Sequence, residues 1–101
     1  MSTDARNATA RALDLLEVLC GHPTSGASNA ELAAATGSAP HQVTRDAAAL
    51  IAKGWARKDE DTGRFFPTPA FTRLCYRVDA DIQRAQQRLA DLHHAFRDGR
   101  A

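Results

Sequence analysis

The sequence predicts a mainly α-helical fold with a small β-hairpin, and three observations predict it. Residues 28–50, SNAELAAATGSAPHQVTRDAAAL, read as a short capped helix, a glycine turn and a second helix whose outer face is small and polar. Gly54-Trp55 and Gly63-Arg64-Phe65 follow at a spacing that suits a two-stranded hairpin. Across residues 71–96, apolar side chains recur in one unbroken heptad pattern. Together these describe a winged helix-turn-helix, three helices plus a wing, followed by a long C-terminal helix.

Bulk properties agree with one small domain. The chain has 101 residues, 44% of them hydrophobic, and much of that is alanine, so helices must build most of the core. The net charge is +1, but residues 40–77 carry seven Lys/Arg against four acids while the rest of the chain is net acidic. A local basic surface is enough to position a duplex, because phosphate contacts act over short, salt-screened distances. Cys20 and Cys75 make neither a disulfide framework nor a zinc site. No apolar run suits a signal peptide or a membrane span. A cytoplasmic protein with no membrane partner and no cofactor is expected.

Residues 1–7 are polar and expected to form a flexible N-terminus. The first helix spans residues 8–20, where Thr9, Ala12, Leu13, Leu16, Leu19 and Cys20 share a face. Leu15 and Val18 form a second, narrower stripe. It reads either as a contact to another subunit or to the C-terminal helix, or as a sign of deep burial. Residues 21–27 are a turn cluster. Ser28 and Glu31 match a capping box for the second helix, residues 29–35, with Leu32 and Ala33 inward.

Gly37 supplies the positive φ of the turn. Ser38 caps the third helix, residues 39–53, and Pro40 suits its first turn. Val43, Ala47, Leu50 and Ile51 point inward, while His41, Gln42, Thr44, Arg45, Ala48, Ala49 and Ala52 lie outward or on the flanks. Gly54 ends this helix. Residues 55–58 and 64–66 form the wing strands around the tip 59–63, and Pro67 and Pro69 stop the second strand.

Beyond the wing, Phe71, Cys75, Val78, Ile82, Ala85, Leu89, Leu92 and Phe96 follow spacings of 4, 3, 4, 3, 4, 3 and 4. A lone helix cannot bury such a seam. It must pack on the winged domain, on the same helix of a second subunit, or on each in turn. The last is favoured, with residues 71–78 on the domain and residues 82–96 between subunits. Dimer contacts are accordingly assigned to Leu15, Val18, Val78, Ile82, Ala85, Leu89, Leu92 and Phe96.

The outward polar residues occupy the first two turns of the third helix, where a recognition helix meets base edges. Arg45 leads, because arginine binds guanine bidentately or grips phosphate; a surface ion pair is the alternative. His41, Gln42 and Thr44 are candidates for bases or phosphates. Ser38 is a cap first and a DNA contact second. The outward alanines either allow close approach to a groove or are simply good helix formers. Arg57, Lys58 and Arg64 on the wing suit phosphates or a minor groove. Asp59, Glu60 and Asp61 would be repelled by phosphate, so the strands of the wing rather than its tip are expected to face DNA. Trp55 and Phe65 read as hairpin core rather than base-stacking groups. His93 and His94 point in different directions, and a solvated helix face is preferred to a metal shared with Asp91. Cys75 reads as a small apolar filler. With no nucleophile and base set, phosphate loop or paired carboxylates in the sequence, no enzyme is expected.

In the first two helices, Arg11-Ala12-Leu13-Asp14-Leu15-Leu16-Glu17 and Glu31-Leu32-Ala33 carry a resemblance to a known family. Thr36-Gly37, Val43, Arg45 and Leu50 continue it through the third, and Gly54-Trp55 with Gly63-Arg64-Phe65 through the wing. In this order the segment resembles the N-terminal DNA-binding domain of the isocitrate lyase regulator (IclR) family. Members resembling this chain usually carry a long ligand-sensing domain as well. This chain ends soon after one helix, so a small-molecule effector is not carried over. Ser38-Ala39-Pro40 stands where a Leu-Pro pair is typical, and Pro67 where an apolar strand residue is expected. Asp46 and Ala47 stand where the family is bulky and apolar, which leaves Asp46 either paired with a basic residue or in contact with cytosine.

The expected layout is a flexible segment at 1–7, a winged domain at 8–69 and a dimerisation helix with a frayed end at 70–101. The expected function is sequence-specific binding of double-stranded DNA as a homodimer. This describes a small transcriptional regulator, with repression favoured over activation. The alternative is a winged module that holds protein within a larger assembly, which the near-zero net charge, the acidic tip and Asp46 favour.

Overall fold

The computed structural model describes residues 6–99; the expected flexible and frayed ends at 1–5 and 100–101 lie outside them. In chain order the elements are α1 (Ala8–Cys20), α2 (Asn29–Thr36), α3 (Pro40–Lys53), β1 (Ala56–Lys58), β2 (Phe65–Pro67) and α4 (Pro69–Arg97). This is a winged helix-turn-helix with a long C-terminal helix, and it divides into two compact units between Phe71 and Thr72.

The first unit is built around Leu15, Leu16 and Leu19 of α1, Leu32 of α2, and Val43, Ala47 and Leu50 of α3. Ala27, Ala56 and Phe65 close it from the loop and the wing. The buried face of α1 is rotated from the stripe expected on the sequence. Leu15 is 1% exposed whereas Leu13 is 47% exposed, and Thr9 and Cys20 are exposed. The physical reason is that Leu15, Leu16 and Leu19 insert between α2 and α3 together, and they carry more apolar area than the stripe running through Thr9 and Cys20. Leu15 is therefore a core residue, and Val18 is partly buried against the core. On α3, Ile51 is exposed and Asp46 takes the fourth inward position.

Local chemistry fixes each turn. Asn7 caps α1 by accepting from the Ala10 N–H at 2.8 Å. Ser28 and Glu31 complete both halves of their capping box, each bond at 3.1 Å. Gly37 ends α2 at φ 73° and Gly54 ends α3 at φ 84°, conformations that side chains resist.

The wing pairs Ala56 with Pro67, Arg57 with Phe66 and Lys58 with Phe65, antiparallel. Pro67 is thus the last residue of the second strand rather than its stop. Phe65 N–H donates to Ala27 on the far side of the strand, so the nitrogen of Pro67, two residues on, also points away from β1. Its missing hydrogen leaves the ladder intact. Ala27 and Phe65 exchange two backbone bonds of 2.9 and 2.8 Å, a bridge that ties the turn cluster to the wing. Trp55 packs on the core and meets Phe71 at 5.3 Å between ring centroids, tilted by 58°.

In the second unit α4 continues as a regular helix whose described residues include none that is buried. Cys75 and Val78, expected to be covered, are exposed, as are Ile82, Leu89, Leu92 and Phe96. Polar pairs support its flanks: Gln83 donates to Asp79 at 2.6 Å and Gln87 to Asp91 at 2.8 Å. No described helix is long and apolar enough to cross a membrane.

Candidate nucleic-acid interface

The third helix presents one face to the core and the opposite face to solvent. Val43, Asp46, Ala47 and Leu50 are buried, which leaves His41, Arg45, Ala48 and Ala52 at the centre of the outer face. All four are exposed. Thr44 flanks them toward α2, where the Asn29 amide donates to its Oγ1 at 3.0 Å and to Pro40 O at 3.2 Å. Ala49 flanks them toward α1, where Arg45, Asp46 and Ala49 line a shallow cleft with Thr9, Arg11 and Leu13. Asn29 escaped the sequence reading, because nothing local links it to a threonine fifteen positions on.

Arg45 makes no hydrogen bond or ion pair with another described residue, so its five donors face solvent from the middle of the helix. Asp46, its neighbour, is turned inward and held by Arg11, with Arg11 Nε to Asp46 Oδ2 at 3.4 Å. Of the two roles expected for Asp46, pairing with a basic residue is the one the geometry gives. An acid at an inward wheel position was the signal for such a partner; which cation supplies it could not be read from the sequence. Gln42 is half-buried, and its Oε1 accepts from the Ala39 N–H at 3.1 Å. Ala39 is the N-cap residue and no side chain caps α3, so Ser38 does not fill that role.

Ser38 departs further from its expected place. It is buried, and its Oγ accepts from Arg6 Nη2 at 3.0 Å. Arg6 also donates to Thr36 O and pairs with Asp14. Arg6 and Asn7, both placed in the flexible segment on sequence grounds, therefore anchor the turn of the helix-turn-helix and the start of α1.

On the wing, Arg57 and Lys58 are exposed while Arg64 is not free. The Arg57 guanidinium lies 4.2 Å from the Phe66 ring centroid, and Lys58 Nζ lies 5.8 Å from that of Phe65. Stacking of this kind fixes the stem of a cation and leaves its donors outward. Arg64 instead donates from Nε to Ser25 O and from Nη2 to Gly26 O, each at 3.0 Å, and pairs with Glu31 at 2.9 Å. These bonds staple the wing to the turn cluster and to α2, so Arg64 is tied into the fold rather than free. Asp59 accepts from the Asp61 N–H at 2.9 Å, which organises the acidic tip. Among the described residues no group of three His, Cys, Asp or Glu could hold a metal ion.

Comparison with known proteins gives the same architecture. The model of the IclR helix-turn-helix domain matches residues 8–60. No curated protein matches the chain significantly. Among solved structures, the Zalpha domain of ORF112 from cyprinid herpesvirus 3, determined in its binding mode to Z-DNA, superimposes with a TM-score of 0.55 at 19% identity. The match covers 62% of this chain and 100% of that one, a likeness of fold.

Proposed function

The chain belongs to the IclR helix-turn-helix domain family, and from that premise we propose that it binds double-stranded DNA sequence-specifically, as a homodimer, in the manner of a small transcriptional regulator. The observation that carries this reading is the outer face of α3. Arg45 stands there unpaired among His41, Ala48 and Ala52, on a helix where Gln42, Thr44 and Asp46 are tied into the fold. Small side chains around a free arginine allow close approach to a major groove, where the guanidinium can meet guanine O6 and N7. Thr44, oriented by Asn29, and His41 flank it. Arg57 and Lys58 supply phosphate contacts from the wing.

Three such cations per copy are few, which makes doubling of the site important. The exposed seam of α4, from Val78 through Ile82, Ala85, Leu89 and Leu92 to Phe96, supports a homodimer. Two copies would contribute six cations, and log affinity should fall with log salt at a slope of about −5.

The rival reading, a protein-holding module, loses the support of Asp46, since that acid is consumed by Arg11. It retains the acidic tip and the near-zero net charge. A salt series against random duplex separates the two. A steep decline marks phosphate contact, and no binding at low salt would rule out the DNA reading. Selection from a random DNA pool then gives the preferred site.

A further inference from the structure

We propose that the exposed seam of α4 is covered by the α4 helix of a second copy running antiparallel, in one register centred between Ile82 and Ala85. The proposal rests on the homodimer reading and adds its orientation and spacing. In heptad terms Cys75, Ile82 and Leu89 occupy a positions, and Val78, Ala85 and Leu92 occupy d positions. Asp81 and Arg88 fall on one flank of this seam, and Asp79 and Gln86 on the other. A parallel pair would set like on like. Ala85 would then meet Ala85 between bulkier layers and leave a gap, while Asp81 would face Gln86 and Arg88 would face His93. No opposite charges meet in that arrangement.

In the antiparallel pair a positions meet d positions. Ile82 then packs on Ala85, Leu89 on Val78 and Leu92 on Cys75, large on small through the centre. Asp81 of each copy faces Arg88 of the other, twice by symmetry, and Asp79 faces Gln86. Sliding one helix past the other by a heptad either way brings Asp81 onto Asp81 or Arg88 onto Arg88, so charge selects a single register. Asp81 is available for this exchange, because its present partner is Arg84 at 3.5 Å, an exposed pair of little worth.

The register also sets a length. Phe71 of one copy lies level with Phe96 of the other, so the two Phe71 residues stand about 38 Å apart along the helix axis. Parallel helices would hold them about 10 Å apart.

The test uses the full chain at low salt, with the dimer dissociation constant read by sedimentation equilibrium. Asp81→Arg and Arg88→Asp should each weaken the dimer about tenfold, and an equimolar mixture of the two should restore it, because every facing pair is then opposite in sign. In a Cys20→Ser background, mild oxidation should give no disulfide dimer, since Cys75 faces Leu92 rather than itself. Failure of the mixture to restore association, or efficient crosslinking through Cys75, overturns the antiparallel register while leaving the homodimer in place. A wild type that stays monomeric overturns the homodimer and this proposal together.

Discussion

Arg11 of α1 and Asp46 of α3 form a largely buried ion pair, with Nε to Oδ2 at 3.4 Å, and Arg11 also donates to Arg6 O at 3.2 Å. The pair locks the third helix onto the first just behind the outer face that carries Arg45. Asp46→Ala should therefore lower stability by about 1–3 kcal/mol, because it strands a half-buried guanidinium. Sequence preference in a DNA selection should not change. A relaxed preference at one base with unchanged denaturant stability would return Asp46 to the reading surface.

Arg45 and Arg64 make a contrasting pair. Arg45→Ala should cost about 1–3 kcal/mol in DNA affinity and move stability by less than about 0.5 kcal/mol, since it is exposed and makes no hydrogen bond or ion pair with another described residue. Arg64→Ala should instead lose about 1–2 kcal/mol of stability by freeing the carbonyls of Ser25 and Gly26. Once corrected for the folded fraction, its binding should keep the wild-type salt slope. A titration and a urea melt on each variant decide the matter, and exchanged outcomes would reverse the assignment.

Gly26 is the glycine on which the wing depends. Its φ is +67°, and a Cβ there would stand 2.7 Å from both Phe65 O and the Phe66 ring. Gly37 has a similar φ of +73° but nothing within 4 Å. Gly37→Ala should therefore cost about 1–2 kcal/mol, the strain of the left-handed region alone. Gly26→Ala should cost clearly more, because the Ala27–Phe65 bridge must also move. Equal losses in thermal melts would show that the close approach is relieved cheaply.

The N-cap of α2 makes stability depend on acidity. The Ser28 N–H, helped by the Ser28 hydroxyl and by Arg64, holds the Glu31 carboxyl below the usual carboxylate range. A carboxylate whose folded pKa is depressed stabilises the fold above its unfolded pKa, and that contribution disappears as pH falls through the folded value. Wild type should thus be more stable than Glu31→Gln at neutral pH, and the two should converge in acid. Denaturation midpoints recorded across the acid limb test this, and a gap independent of pH would show that charge plays no part.

Element boundaries were legible because caps and periodicity are local. Ser28 with Glu31, Gly37 and Gly54 each announce a helix end through chemistry within three or four residues. What escaped was set by partners far along the chain. Ser38 looks like a cap until Arg6 is placed against it, and Arg64 looks like a free wing cation until the carbonyls of residues 25 and 26 arrive beneath it. The rotation of α1 was hidden for a related reason. A helical wheel shows two apolar stripes, but which one lies between α2 and α3 is decided by how those helices pack. The outer face of α3 was easier, since Arg45 and the alanines need only be opposite Val43, Ala47 and Leu50.

The seam of α4 yields the last prediction. Leu89 is 68% exposed and Phe96 is 78% exposed, values uncommon for apolar residues repeated along one face of a soluble helix. Leu89→Glu should yield monomers by sedimentation and leave the first unit folded, because among the described residues none beyond Phe71 belongs to the core. DNA binding should weaken, since each monomer then carries half the cations and cannot bridge two half-sites. The salt slope should fall toward half its former value, to about −3. That halving separates loss of the dimer from loss of the fold: an unfolded variant would show no slope, and an undisturbed dimer would keep the full one.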